Sequence, residues 1–256
     1  MDVLSPLSSS LLSPVILAFG LGIVATLLKS DLSFPEGLHS ALTIYLLFAI
    51  GLKGGMKLEG MSLSVVGAPL LCAVLLSLAI PVWCFYLLKA LVGLDATNAG
   101  ALAAHYGSVS AVTFGAALAF LENAKVLVEG YIPALLAVME APAILVAVFL
   151  AMKYRTTGGT EPGGFKGMLH DLLTGKGIIL LLGGLVIGVL CGKQGFEQVA
   201  PLFEAPFKGV LTLFLLEVGL VTGRKLHDLR TVGWKLAAFA ILMPVIHGLL
   251  GALVGA

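Results

Sequence analysis

The chain has 256 residues, of which 59% are hydrophobic and 11% charged, with a formal net charge of +1. Soluble domains carry about 45–50% apolar and about 25% charged residues, so this composition excludes an ordinary soluble protein and indicates a polytopic membrane protein. There is no basic block, and nucleic-acid binding has no electrostatic footprint.

Apolar runs separated by charges or Gly/Pro clusters predict eight membrane helices. The N-terminal MDVLSPLSSS lacks the Lys/Arg region of a signal peptide, so the first run reads as a retained helix, about Pro14–Leu28, ended by Lys29 and Asp31. The second is about Leu38–Leu52, ended by Lys53-Gly-Gly, and the third about Leu63–Leu91, with Pro81 as an expected kink. The fourth, about Ala96–Leu121, is interrupted over His105-Tyr-Gly-Ser-Val-Ser110. The fifth is about Tyr131–Met152, and a linker of Gly, Thr and charge follows from Lys153 to about Gly175. The sixth, seventh and eighth are about Gly177–Cys191, Phe207–Thr222 and Val232–Val254. Cys72, Cys84 and Cys191 lie in apolar stretches without metal-ligand spacing and are expected to be buried packing thiols, neither disulfide-bonded nor zinc-bound.

If the N-terminus is outside, ten of the 15 Lys and Arg residues fall in inner segments. The positive-inside rule therefore favours an outside N-terminus and a cytoplasmic linker, provided the fourth helix crosses fully.

Gly51, Leu52, Gly55, Lys57 and Leu58 recur as Gly219, Leu220, Gly223, Lys225 and Leu226, an offset of 168. Chance in a Leu/Gly-rich chain is one reading. The other makes residues 1–152 a first five-helix repeat, 153–175 a linker and 176–256 the start of a second repeat with three helices. Five is odd, so the second repeat enters the membrane from the opposite side, as in inverted-repeat secondary transporters. At that offset the copy would end near about position 320, so the expected second repeat is partial.

The interrupted fourth helix places small residues and hydroxyls at mid-membrane, where non-helical backbone is tolerated only if buried in protein or lining a cavity. One half-helix N-terminus there favours an anion; the carbonyl end of the other half suits Na+. The alternative is that the Ser and Thr hydroxyls bond their own helix carbonyls. Glu140, in Val138-Met-Glu-Ala-Pro142, is a costly intramembrane carboxylate that marks an ion path. The alternative is a protonated acid bonded to a neighbouring helix. Pro142 frees a carbonyl one turn back. Glu217 is a second, weaker intramembrane acid. His105 and His247 read as hydrogen-bonded interior residues rather than metal ligands, and no HExxH, GxSxG or P-loop pattern appears.

These residues resemble the sodium-dependent bicarbonate transporter family of permeases. The resemblance runs through Gly51-Leu-Lys-Gly-Gly-Met56, Tyr106-Gly-Ser-Val-Ser-Ala-Val-Thr113, the following Ala-Ala-Leu-Ala-Phe-Leu-Glu122, and Met139-Glu-Ala-Pro-Ala143. It resumes at Phe207-Lys-Gly-Val-Leu-Thr212, Leu226-His-Asp-Leu-Arg230 and Pro244-Val-Ile-His-Gly248. It implies ten helices in two inverted units, a gate and a substrate-carrying core, with two discontinuous helices crossing at the midplane. The second Ser-rich break would lie beyond Ala256. A trimer and a cytoplasmic PII-like regulator are implied as well.

The expected function is Na+-coupled uptake of bicarbonate across the plasma (inner) membrane by alternating access, with no cofactor beyond Na+ as coupling ion. Gly107, Ser108, Val109, Ser110 and Ala111 would bind the anion, and Thr113 and Glu140 would hold Na+. A one-to-one cycle would be electroneutral and use only the sodium gradient. Three other readings stand: a carrier of another small anion such as a carboxylate, a membrane-embedded enzyme using Glu140 and a His, and a non-transporting membrane subunit.

Overall fold

The computed structural model describes residues 12–155, 167, 169–170, 173–230 and 232–255. The chain before residue 12 and most of the predicted linker lie outside the described residues. All regular structure among the described residues is helical. In chain order the helices are α1 (Pro14–Leu27), α2 (Leu38–Leu58), α3 (Leu63–Leu87), α4 (Ala96–Gly107), α5 (Ala111–Asn123), α6 (Ile132–Lys153), α7 (Lys176–Phe203), α8 (Phe207–Lys225) and α9 (Trp234–Gly255). A π-turn over Leu88–Val92 continues α3, and a 3-10 turn over Leu226–Arg230 follows α8.

Local chemistry sets several boundaries. Pro14 stands in the first turn of α1, where its missing N–H costs nothing. Ser62, Asp95 and Ser110 cap α3, α4 and α5 by accepting backbone N–H groups. α3 runs through both Pro69 and Pro81.

Among the described residues five helices are long and apolar enough to cross a membrane: α2, α3 with its π-turn, α6, α7 and α9. The protein is a multi-pass membrane protein. α1 has 14 residues, a length of about 21 Å against a hydrocarbon core of about 30 Å. α4 and α5 are each shorter still, with 12 and 13 residues.

The predicted sixth helix proves longer than the apolar run. Helix continues to Phe203, through a sharp break at Gly192 (φ 59°, ψ −163°). That backbone region is essentially reserved to glycine. The Glu59 carboxylate sits where a Gly192 side chain would be and accepts the Lys193 N–H at 2.7 Å. The returning half packs Phe203 against Tyr45 and Phe48 of α2.

The chain forms two compact units. One comprises Met1–Glu59, Ser110–Pro133 and Gly183–Thr231; the other comprises Gly60–Val109, Ala134–Leu182 and Val232–Ala256. Each therefore draws on sequence from both sides of the predicted linker.

In the first unit, Val15 of α1, Leu42 and Leu46 of α2, and Leu211, Phe214 and Leu215 of α8 form the core. Its helices approach backbone to backbone at two crossings. At the α1–α8 crossing Gly219 lies on Gly22, and Gly223 on Thr26. At the α2–α7 crossing Gly51 lies on Gly184, and Gly55 on Gly188. Residue numbers rise together on both partners, so both pairs are parallel. Small residues four apart permit this approach.

In the second unit, Ile80, Cys84, Phe85 and Leu88 pack with Ala96, Ala99 and Ala103 of α4, Ala147 and Leu150 of α6, and Phe239 and Met243 of α9. Cys84 is buried as expected, but Cys72 is only half-buried and Cys191 is exposed. Cys191 comes last before the Gly192 break.

Candidate functional site

The break in the fourth apolar segment is present and shorter than the sequence suggests. His105, Tyr106 and Gly107 remain helical, and the chain leaves helix only over 108–110. Ser108 (φ −88°, ψ 160°) and Ser110 (φ −71°, ψ 122°) are both extended. Two short polar residues at the ends of the gap suit it, because Ser satisfies backbone groups from either side. α4 ends where Gly107 packs against the Pro81 ring and Ala143, a space that a side chain would overfill.

α5 begins with Ser110 as its cap. The Ser110 Oγ accepts the Thr113 N–H at 3.4 Å, and the Thr113 hydroxyl donates to the Ser110 carbonyl at 3.0 Å. The first bond is long, so the α5 N-terminus is only weakly capped from within. That end opens on a cavity of about 500 Å³ lined by Ser110 and Thr113, Ile16 and Phe19 of α1, and Phe214, Leu215 and Val218 of α8. Helix N–H groups without intrahelical partners and the positive end of the helix dipole suit an anion at such a place. The C-terminal end of α5 is tied to α8 by a Lys208–Glu122 ion pair, and Phe207 and Leu211 pack over Gly115.

Of the residues expected to bind substrate and sodium, Ser110, Ala111 and Thr113 belong to the first unit, and Gly107, Ser108, Val109 and Glu140 to the second. The structure brings Ser110 and Thr113 together on the cavity. Glu140 is not among the cavity's lining residues. It is half-buried, and its carboxylate lies against Gly177 in the first turn of α7. A helix N-terminus stabilises a carboxylate there. Glu140 also lies one turn from Ala143, on which the end of α4 rests.

His247 is hydrogen-bonded as the sequence suggests but only half-buried: its Nε2 accepts the Trp83 indole N–H at 3.0 Å, and its ring stands edge-on to Tyr106. His105 is exposed instead, because it lies on the face of α4 turned away from α3 and α6.

The cavity walls from α1 and α8 carry no sequence signal, since Ile16, Phe19, Leu215 and Val218 resemble any other apolar residue of their helices. Glu217 is different. Its carboxylate meets His39 Nδ1 at 3.1 Å, and the His39 ring packs on Phe214 at 5.1 Å between centroids. Glu217 thus adjoins cavity-lining residues of α8 in sequence, with Phe214 three residues before it and Val218 next to it.

Among curated proteins none matches the chain at a significant level. The family model of the Na+-dependent bicarbonate transporter superfamily matches residues 14–256. That span takes in every described helix, the break and both small-residue crossings, and the chain belongs to the Na+-dependent bicarbonate transporter superfamily.

Proposed function

We infer that the protein performs sodium-dependent uptake of bicarbonate across the plasma membrane, as a Na+/HCO3− symporter working by alternating access. The observation that carries this reading at the level of residues is the Ser110-capped N-terminus of α5 opening on a cavity. An anion there meets first-turn N–H groups and the Ser110 hydroxyl, whose hydrogen can donate while its oxygen accepts from Thr113. Gly107, Ser108, Val109 and Ala111 are the other proposed substrate-binding residues, the N–H groups near Val109 to Ala111 as backbone donors. Thr113 and, separately, Glu140 are the proposed sodium-binding residues. Replacing Ser110 by Ala should lower Na+-dependent bicarbonate uptake several-fold with membrane insertion unchanged; unchanged uptake would sink the site assignment.

Two observations support the transporter architecture. Exchanging α1 with α7 and α2 with α8 converts one small-residue crossing into the other, as an inverted repeat requires. The parallel course of α2 and α7 needs an odd number of crossings between them. α3, the broken α4–α5 segment and α6 supply three if that segment crosses once. This supports an outside N-terminus by the positive-inside count.

A second reading rests on the cavity lining. Five of its seven residues are apolar, and its volume far exceeds that of bicarbonate. Those features favour an organic carboxylate with a hydrocarbon part. Competition of small carboxylates against labelled bicarbonate separates the two: strong competition by a longer carboxylate, with weak self-competition by bicarbonate, selects the second.

A further inference from the structure

We propose that His39 is the protonation-controlled counter-charge of Glu217, and that it sets how strongly the cavity at the α5 N-terminus holds an anion. The inference rests on the reading of that cavity as an anion site.

Glu217 lies inside α8, eight residues or about 12 Å from Lys225 at the end of the helix. Its side chain is 12% exposed, and His39 is its ion-pair partner among the described residues. Phe214, one turn before it, and Val218, next to it, both line the cavity. An uncompensated carboxylate at this place opposes an anion by like-charge repulsion, which is strong where water is scarce. The His39 side chain, 55% exposed, reaches it from the first turn of α2. Protonated, His39 cancels the charge of Glu217; neutral, it leaves a negative charge on the helix that supplies Phe214 and Val218 to the cavity.

Few other charges compete for Glu217. α1 contains no ionisable residue. α5 brings Glu122, which is paired with Lys208. On α8, Arg224 and Lys225 follow in the last turn, with His227 and Asp228 beyond them. On α2, Tyr45 donates to the Leu202 carbonyl and Lys53 pairs with Glu204. Lys57 lies near the far end of α2, and the adjoining α7 carries Lys193, whose backbone N–H donates to Glu59, and Glu197. The loop before α2 holds Lys29, Asp31 and Glu36.

The test uses the full chain in proteoliposomes, with Na+-dependent uptake of labelled bicarbonate at pH 6 and pH 8.5 and the bicarbonate concentration held equal. Wild type should show a KM about three- to tenfold lower at pH 6. Glu217→Gln should hold the low KM at both pH values, and His39→Gln the high KM at both. His39→Lys, a permanent cation, should hold the low KM at pH 8.5. A structural role for the pair predicts instead that all three variants lose uptake together. That result, or a wild-type KM indifferent to pH, overturns the proposal. Thermal unfolding of the single variants and the His39→Gln/Glu217→Gln double at both pH values reads the pairing without transport. Absence of coupling at pH 6 also overturns the proposal. Coupling at pH 6 with no wild-type uptake at either pH overturns the transport reading, and the anion-tuning role with it.

Discussion

Gly55 of α2 and Gly188 of α7 meet with no side chain between them: a Cβ on Gly55 would stand 2.8 Å from the Gly188 Cα and 2.7 Å from the Val189 nitrogen. The same holds at the other crossing, where a Cβ on Gly22 would stand 2.7 Å from the Leu220 nitrogen and 2.9 Å from the Gly219 carbonyl carbon. Backbone cannot yield as the tip of a side chain can. Gly55→Val and Gly22→Val should each cost about 1–3 kcal/mol, the scale of an overpacked contact. Gly20→Val in α1 is the control, because a Cβ there meets nothing within 4 Å. Thermal unfolding in nanodiscs measures the difference; equal melting of the Gly20 and Gly22 variants would refute the crossing as a stability determinant.

The break at Gly192 joins two causes at one residue. Its backbone (φ 59°, ψ −163°) is strained for any residue with a Cβ, and a Cβ would run into the Glu59 carboxylate, with Oε2 at 2.5 Å. Gly192→Ala should lose about 1–3 kcal/mol from the backbone alone. Glu59→Gln acts through the other cause, weakening the hydrogen bond that the carboxylate takes from the Lys193 N–H. If steric conflict with Glu59 matters beyond the backbone strain, Glu59→Ala should partly rescue Gly192→Ala. No rescue in thermal unfolding would leave the backbone as the sole cause.

How much of this was legible in sequence follows from what is local. Hydrophobic runs marked every helix that begins and ends in polar residues. Tyr106-Gly-Ser-Val-Ser110 marked the break, as small and hydroxylic residues interrupting an apolar run, although the same residues also suit helix packing. The second half of α7 was not legible: Gly192-Lys-Gln-Gly195 reads as a polar loop, and only packing of Phe203 on Tyr45 and Phe48 shows why helix resumes. Gly51, Gly55, Gly219 and Gly223 were visible as a repeat, but their partners Gly22, Thr26, Gly184 and Gly188 were not, because contact partners on distant helices leave no local trace. His39 and Glu217, 178 residues apart, are the same case at the cavity.

Asp95 gives α4 a pH-dependent start. Its carboxylate accepts the Thr97 N–H at 2.9 Å, the Asn98 N–H at 3.1 Å and the Asn98 side-chain amide. These bonds, those from Asn98 foremost, hold its carboxyl below the usual carboxylate range. A depressed folded pKa means that the contribution is full above the unfolded value, near about 4, and is lost as the pH falls through the lower folded value. Asp95→Asn retains a capping oxygen without the titration. Its melting temperature should lie below wild type at pH 7 and converge on it as the pH falls below about 4. A constant gap across that range would show that Asp95 does not titrate as a cap.

Gly107 closes α4 against Pro81 of α3. A Cβ there would stand 2.6 Å from the Pro81 Cδ and 3.0 Å from the Ala143 Cβ. One contact is with a proline ring and the other with a methyl on a packed helix, and neither has a rotamer by which to retreat. Gly107→Ala must therefore move the end of α4, and with it Ser108, the first residue of the break. The expected result is a loss of about 1–3 kcal/mol in stability together with reduced Na+-dependent uptake. Because the conflict is with the proline ring, Pro81→Ala makes room and should restore part of both losses in the double variant. Restored stability without restored uptake would separate the packing of α4 from the geometry of the break. Restoration of neither would show that the Ala143 contact, not Pro81, fixes the position of Gly107.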